Sequence, residues 1–153
     1  MNGNPDVPRK LRALWALHAT GNLDEEALVK MLEHESEHLR WWAIQFLCEE
    51  KFVNPGALEK LTNLARKDPS PMVRLGLASA MQRLPRVQRW GIAEGLVLHG
   101  EDAKDQNLPL MIWYGIEPLV FADRSSAMDL MTHCKIPLVR QFIARRLASL
   151  TGG

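Results

Sequence analysis

At 153 residues, 46% of them hydrophobic, the chain is long enough for one domain whose core buries about two-thirds of the unfolded surface. Nineteen Lys and Arg against 18 Asp and Glu leave a formal net charge of +1, so no global field selects nucleic acid or an anionic membrane, and any charged site has to be local. No run approaches the roughly 18 apolar residues of a membrane helix, and Met1 to Asp6 carries no basic and apolar leader, so the chain is expected to be soluble as it stands.

Residues 9 to 19 follow Pro8 and place Leu11, Leu14, Trp15 and His18 at helical spacing before Gly21. This first helix has no preceding partner. Asp24 caps the next, with Glu25 and Glu26 at the positive end of its dipole and an end near Leu32 or Glu33. Ser36 opens a third helix with two apolar stripes: Leu39, Trp42, Ala43, Phe46 and Leu47 on one, Trp41, Ile44 and Cys48 on the other. Two stripes imply two packing partners.

Asn54 and Pro55 begin the next helix, with Leu58, Leu61, Leu64 and Ala65 as its face up to Lys67. Ser70 and Pro71 repeat that start, and Pro85 is the expected stop. Val87, Trp90, Ala93, Leu96 and Val97 mark a helix ending near His99, with Gly100 suited to the left-handed position after it. Glu101 to Asn107 is the longest polar break and reads as a flexible insertion. Leu108 to Val120 is apolar nearly all round and therefore central, with a bend or early end expected near Glu117 because Pro118 lacks an amide donor. Asp123 caps residues 124 to 134, and Pro137 starts the last helix, with Val139, Phe142, Ile143, Leu147 and Leu150 inward.

No segment alternates with period two. About eight helices in antiparallel pairs result, and the second helix of each pair starts near residues 9, 37, 71, 109 and 137, steps of roughly 28 to 38 residues. Ser36, Leu39 and Arg40 recur as Ser70, Val73 and Arg74. The expected fold is all-α: a right-handed α-α superhelix of about four helical hairpins, spanning residues 1–153 as one domain. A helical bundle is the rival, but it gives the turn-plus-arginine signature no reason to recur.

The element carrying Asp68, Pro69, Val73 and Arg74 resembles the HEAT repeat, in which the resemblance implies an aspartate and an arginine six positions later bridging neighbouring repeats in a buried ladder. The arginine matches at Arg40, Arg74 and Arg140, whereas the aspartate matches only at Asp68, with His34 and Cys134 at the equivalent offsets. A second resemblance covers most of the chain. The strings Leu11 to His18, Leu39 to Ala43, Leu108 to Leu119 and Ile136 to Leu147 look like the helical middle section of planctomycete-type membrane-bound dehydrogenases. It implies an excised spacer or docking domain between a propeller and a haem-binding cytochrome c domain, in the periplasm or cell envelope. The sequence lacks Cys-x-x-Cys-His, so no haem and no other cofactor is expected to be held by this segment.

Among the possible sites, His34, Glu35, Glu37 and His38 could attract zinc, yet they fall in an inter-helix turn where solvated polar residues are the plainer reading. Asp102, Asp105 and Asn107 lack the Gly and Glu of an EF-hand loop. Cys48 and Cys134 read as buried thiols. Arg83, Arg86, Arg89, Arg140, Arg145 and Arg146 could contact phosphates, as in a DNA-glycosylase-like solenoid, although the charge balance argues against it. No nucleophile, acid–base or metal set emerges, so no catalytic or metal residue is assigned.

The candidate binding surface is instead concave and lined by second helices. It comprises Arg40, Trp41, Arg74, Trp113, Tyr114, Glu117 and Arg140, and is suited to a protein partner, most plausibly other domains of a parent chain. Self-association through Leu11, Leu14 and Trp15 of the unpaired first helix is also expected.

Overall fold

The computed structural model describes residues 6–152, and among them there are nine α-helices and no strand. Local chemistry sets most boundaries. The Asp24 carboxylate accepts from the Ala27 amide and opens α2 (Glu25–Met31); Asn54 accepts from Ala57 and opens α4 (Pro55–Lys67). Ser70 accepts from Val73 to start α5 (Pro71–Met81), and Asp123 accepts from Ser126 to start α8 (Arg124–His133). Each such bond satisfies an orphan donor of the first turn. The first helix, α1 (Asp6–Ala19), ends before Gly21, whose φ of 70° is one that side chains disfavour.

The remaining helices are α3 (Glu37–Leu47), α6 (Arg86–Leu96), α7 (Leu108–Ala122) and α9 (Pro137–Thr151). Four antiparallel hairpins follow: α2 with α3, α4 with α5, α6 with α7, and α8 with α9. The second helices stack in one layer, α3 on α5 on α7 on α9, while α4 packs on α6 in the other, and α1 extends the first layer by lying against α3. The molecule is thus an all-α helical-repeat solenoid. Its core is one continuous cluster from Leu14 to Ile143, because no hairpin can hide its apolar side alone.

Close helix approach explains several small residues. A Cβ on Gly76 of α5 would stand 2.5 Å from the Trp41 ring of α3, and one on Gly95 of α6 would stand 2.8 to 2.9 Å from Ala65 and Arg66 of α4. Cys48 and Cys134 are free, buried thiols; burial pushes Cys48 up to about 11.

Nine helices form among the described residues, in line with the expected count of about eight, and four details need correction. Gly100 is not a left-handed cap; it opens a 3-10 segment, Gly100–Lys104, so the expected flexible insertion is ordered structure around a buried Asp102. Helix α5 stops at Met81, before Pro85, in a turn closed by the Leu84 amide on the Met81 carbonyl. Pro118 does not end α7, which continues to Ala122. The carbonyl that it leaves without a donor is that of Tyr114, a residue 51% exposed, where water can replace the missing amide. At the first helix, Leu14 is buried and Leu11 half-buried, so of the three expected bare residues only Trp15 remains largely open.

Candidate protein-binding surface

Charge pairs fix the register between hairpins. Arg40 of α3 reaches forward to Asp68, with Nε 2.8 Å from Oδ2 and Nη2 3.1 Å from Oδ1, and its Nη1 donates to the carbonyls of His34 and Glu35. Arg74 of α5 repeats the move one hairpin on: Nε and Nη2 grip Asp102 at 2.7 and 2.6 Å, and Nη1 donates to the Asp68 carbonyl at 2.9 Å. Such forked pairs fix both distance and angle. Asp102 holds the Arg74 guanidinium above its ordinary pKa, outweighing burial, so the arginine stays charged.

Arg40 and Arg74 therefore do not line an open groove. Arg74 is 2% exposed, and both guanidinium groups are committed to the ladder. Sequence offsets missed Asp102 because the segment between α6 and α7 is longer than the other turns. The one available signal was its distance of 28 residues from Arg74, equal to that between Arg40 and Asp68.

Beyond α7 the ladder changes character. Trp113 meets Phe142 of α9 with ring centroids 5.4 Å apart, and Cys134 sits buried six residues before the exposed Arg140. Trp113 is thus a packing residue between hairpins. Glu117 of α7 lies 3.9 Å from Arg146 of α9, both half open to water. Arg89 is no candidate for phosphate either: its three nitrogens donate to the carbonyls of Leu84, Gln82 and Gly115, and burial lowers its pKa. Arg83 donates to the Gln45 amide oxygen. In the zinc-like turn, His34 Nδ1 accepts the Ser36 amide, as Asp68 accepts that of Ser70.

The open face of the second-helix layer follows from helix geometry. Leu39, Val73, Ile112 and Val139 are buried anchors in α3, α5, α7 and α9. One residue before each stand His38, Met72, Met111 and Leu138; two after stand Trp41, Leu75, Tyr114 and Gln141; six after stand Gln45, Ser79, Pro118 and Arg145. Spacings of three and seven put these on one side of each helix, and every one of them is half-buried or exposed. Trp41 and Tyr114 therefore share a face, joined by Met72, Leu75, Met111 and Leu138, which the sequence reading did not single out. No carboxylate stands at any of these positions.

Carboxylates concentrate instead at the ladder side. Bonds from its own amide and from the His99 ring hold Glu101 below the usual carboxylate range, and the Leu108 and Asn107 amides do the same for Asp105. A carboxylate whose folded pKa is depressed stabilises fully above its unfolded pKa and loses that contribution as pH falls through the folded value. Protection factors of the amides across residues 100 to 107 are therefore expected to fall below about pH 4, before those of α4 and α6 do. Uniform protection down to global unfolding would refute this.

The family described as HEAT repeats matches residues 2–82, from the start of the chain through α5. No curated protein and no solved structure matches the chain.

Proposed function

Because the chain belongs to the HEAT-repeat family, whose members commonly serve as protein-interaction scaffolds, we propose that it is a non-catalytic docking domain that receives protein on the open face of its second-helix layer. The carrying observation is the apolar, carboxylate-free row Trp41, Leu75 and Tyr114, flanked by Met72, Met111 and Leu138. Apolar residues gathered on one open face favour a partner surface, and methionine adapts to the shape of what it meets. In the finer form of the proposal, residues 1–153 are one domain of a larger dehydrogenase–cytochrome chain in the cell envelope, and the partner is a neighbouring domain of that chain. The string resemblances in α1, α3, α7 and α9 support that form.

A photo-crosslinking residue in place of Tyr114 tests the reading, with Val87 on α6, 83% exposed, as the control position. The expected result is a discrete protein adduct at position 114, mapped by mass spectrometry to one surface of one partner. Adducts no more abundant or defined at 114 than at 87 would remove the reading. A second reading, nucleic-acid binding, draws on α9, whose charged residues are Arg140, Arg145 and Arg146 with no acid among them. Steeply salt-dependent binding of duplex DNA would favour it over a protein partner.

A further inference from the structure

We infer that the occupant of this face is an amphipathic α-helix whose apolar stripe is flanked by carboxylates, an inference that rests on the docking reading above and specifies its partner. The lack of free carboxylates on this face points to the acidic flank. Helices α5 and α9 contain no Asp or Glu. In α3 and α7 the acids are Glu37 and Glu117, and both are engaged, Glu37 by the Ser70 hydroxyl and Glu117 by Arg146. The outer helices carry the carboxylates Glu25, Glu26, Glu59, Glu94 and Asp129, interspersed with Lys and Arg. Around the apolar row stand Arg83 and Arg145 with no free carboxylate between them, so an acidic flank meets complementary charge on this face.

Backbone chemistry selects a helix over an extended strand. An extended peptide brings unpaired amides and carbonyls that need partners when covered. Of the side-chain amides here, Gln45 donates to the Gly76 carbonyl and accepts from Arg83, and Gln82 donates to the carbonyls of Ala78 and Met111. Among the described residues this leaves Gln141, at the α9 end, as the one amide of this face open to a peptide backbone. A helix satisfies its own backbone and asks only for apolar contact. The spacing agrees, since neighbouring helices lie about 8–10 Å apart and seven residues of a bound helix rise about 10.5 Å. One apolar side chain per heptad then reaches α3, α5, α7 and α9 in turn, which needs about 20 residues.

Two synthetic helices of about 20 residues, identical in their Leu and Phe stripe but flanked by Glu in one and Lys in the other, test this by fluorescence anisotropy on the intact chain. The Glu peptide is expected to bind saturably, and the Lys peptide roughly tenfold or more weakly. Arg145→Glu, an exposed change that leaves the fold intact by circular dichroism, should weaken the Glu peptide and strengthen the Lys peptide. Equal binding of both peptides, or indifference to Arg145→Glu, overturns the acidic-flank assignment while leaving the docking reading to the crosslinking result. Binding of neither peptide overturns the helical occupant. Displacement of the Glu peptide by duplex DNA at low salt overturns the protein occupant in favour of nucleic acid.

Discussion

Arg74→Ala is expected to cost about 3–5 kcal/mol of unfolding free energy, measured by urea denaturation. The size comes from what is left behind: Asp102, 3% exposed, loses both of its short guanidinium bonds and becomes a buried, uncompensated charge. The Asp68 carbonyl also loses a donor. Replacing both partners by apolar residues of similar size, Arg74→Met with Asp102→Leu, should recover most of the loss, because the expense of a buried pair lies largely in desolvating it. Arg40→Ala should cost less, since Asp68 keeps the Ser70 amide on Oδ1 and the Arg40 side chain, 12% exposed against 3% for Arg74, leaves a space that opens to water. A loss below about 1 kcal/mol for Arg74→Ala would show that the ladder does not hold the hairpins together.

Gly95→Ala is the second large effect, an expected loss of about 1–3 kcal/mol despite the better helix propensity of alanine. The added methyl would meet the backbone of Ala65 and Arg66 at 2.9 Å, and backbone cannot turn aside, so α4 and α6 must separate. Gly115→Ala supplies the control. Its methyl meets the side-chain end of Met81, a flexible thioether that can rotate away, and the change should be close to neutral in thermal unfolding. Equal effects at the two glycines would mean that backbone approach between α4 and α6 does not limit their packing.

The contrast between those sites also marks what was legible in sequence. Helix starts were readable because a cap is a local event: Asp24, Asn54, Ser70 and Asp123 each bond an amide three residues on. The stacking of hairpins was readable because its periodicity repeats in the apolar residues. Asp102 was hidden, since its role depends on where a longer connection folds back, and periodicity carries no information about that. The same limit misplaced Arg40 on the open face. It adjoins Trp41 in sequence, but one residue is 100° of helix, enough to turn from water to the next hairpin. Met72 and Met111 were passed over because an apolar residue in an apolar helix has no sequence mark of the side it faces; the burial of Val73 and Ile112 beside them supplies it.

Arg40 with Asp68 and Arg74 with Asp102 fix angle as well as distance, whereas Trp113 against Phe142 fixes little more than separation. The early joints behave as pinned hinges. The last is tied by ring contact and by one short backbone bond, the Lys135 amide donating to the Val97 carbonyl at 2.8 Å. The final hairpin therefore hangs from a single backbone tether, about which the curvature of the coil can change.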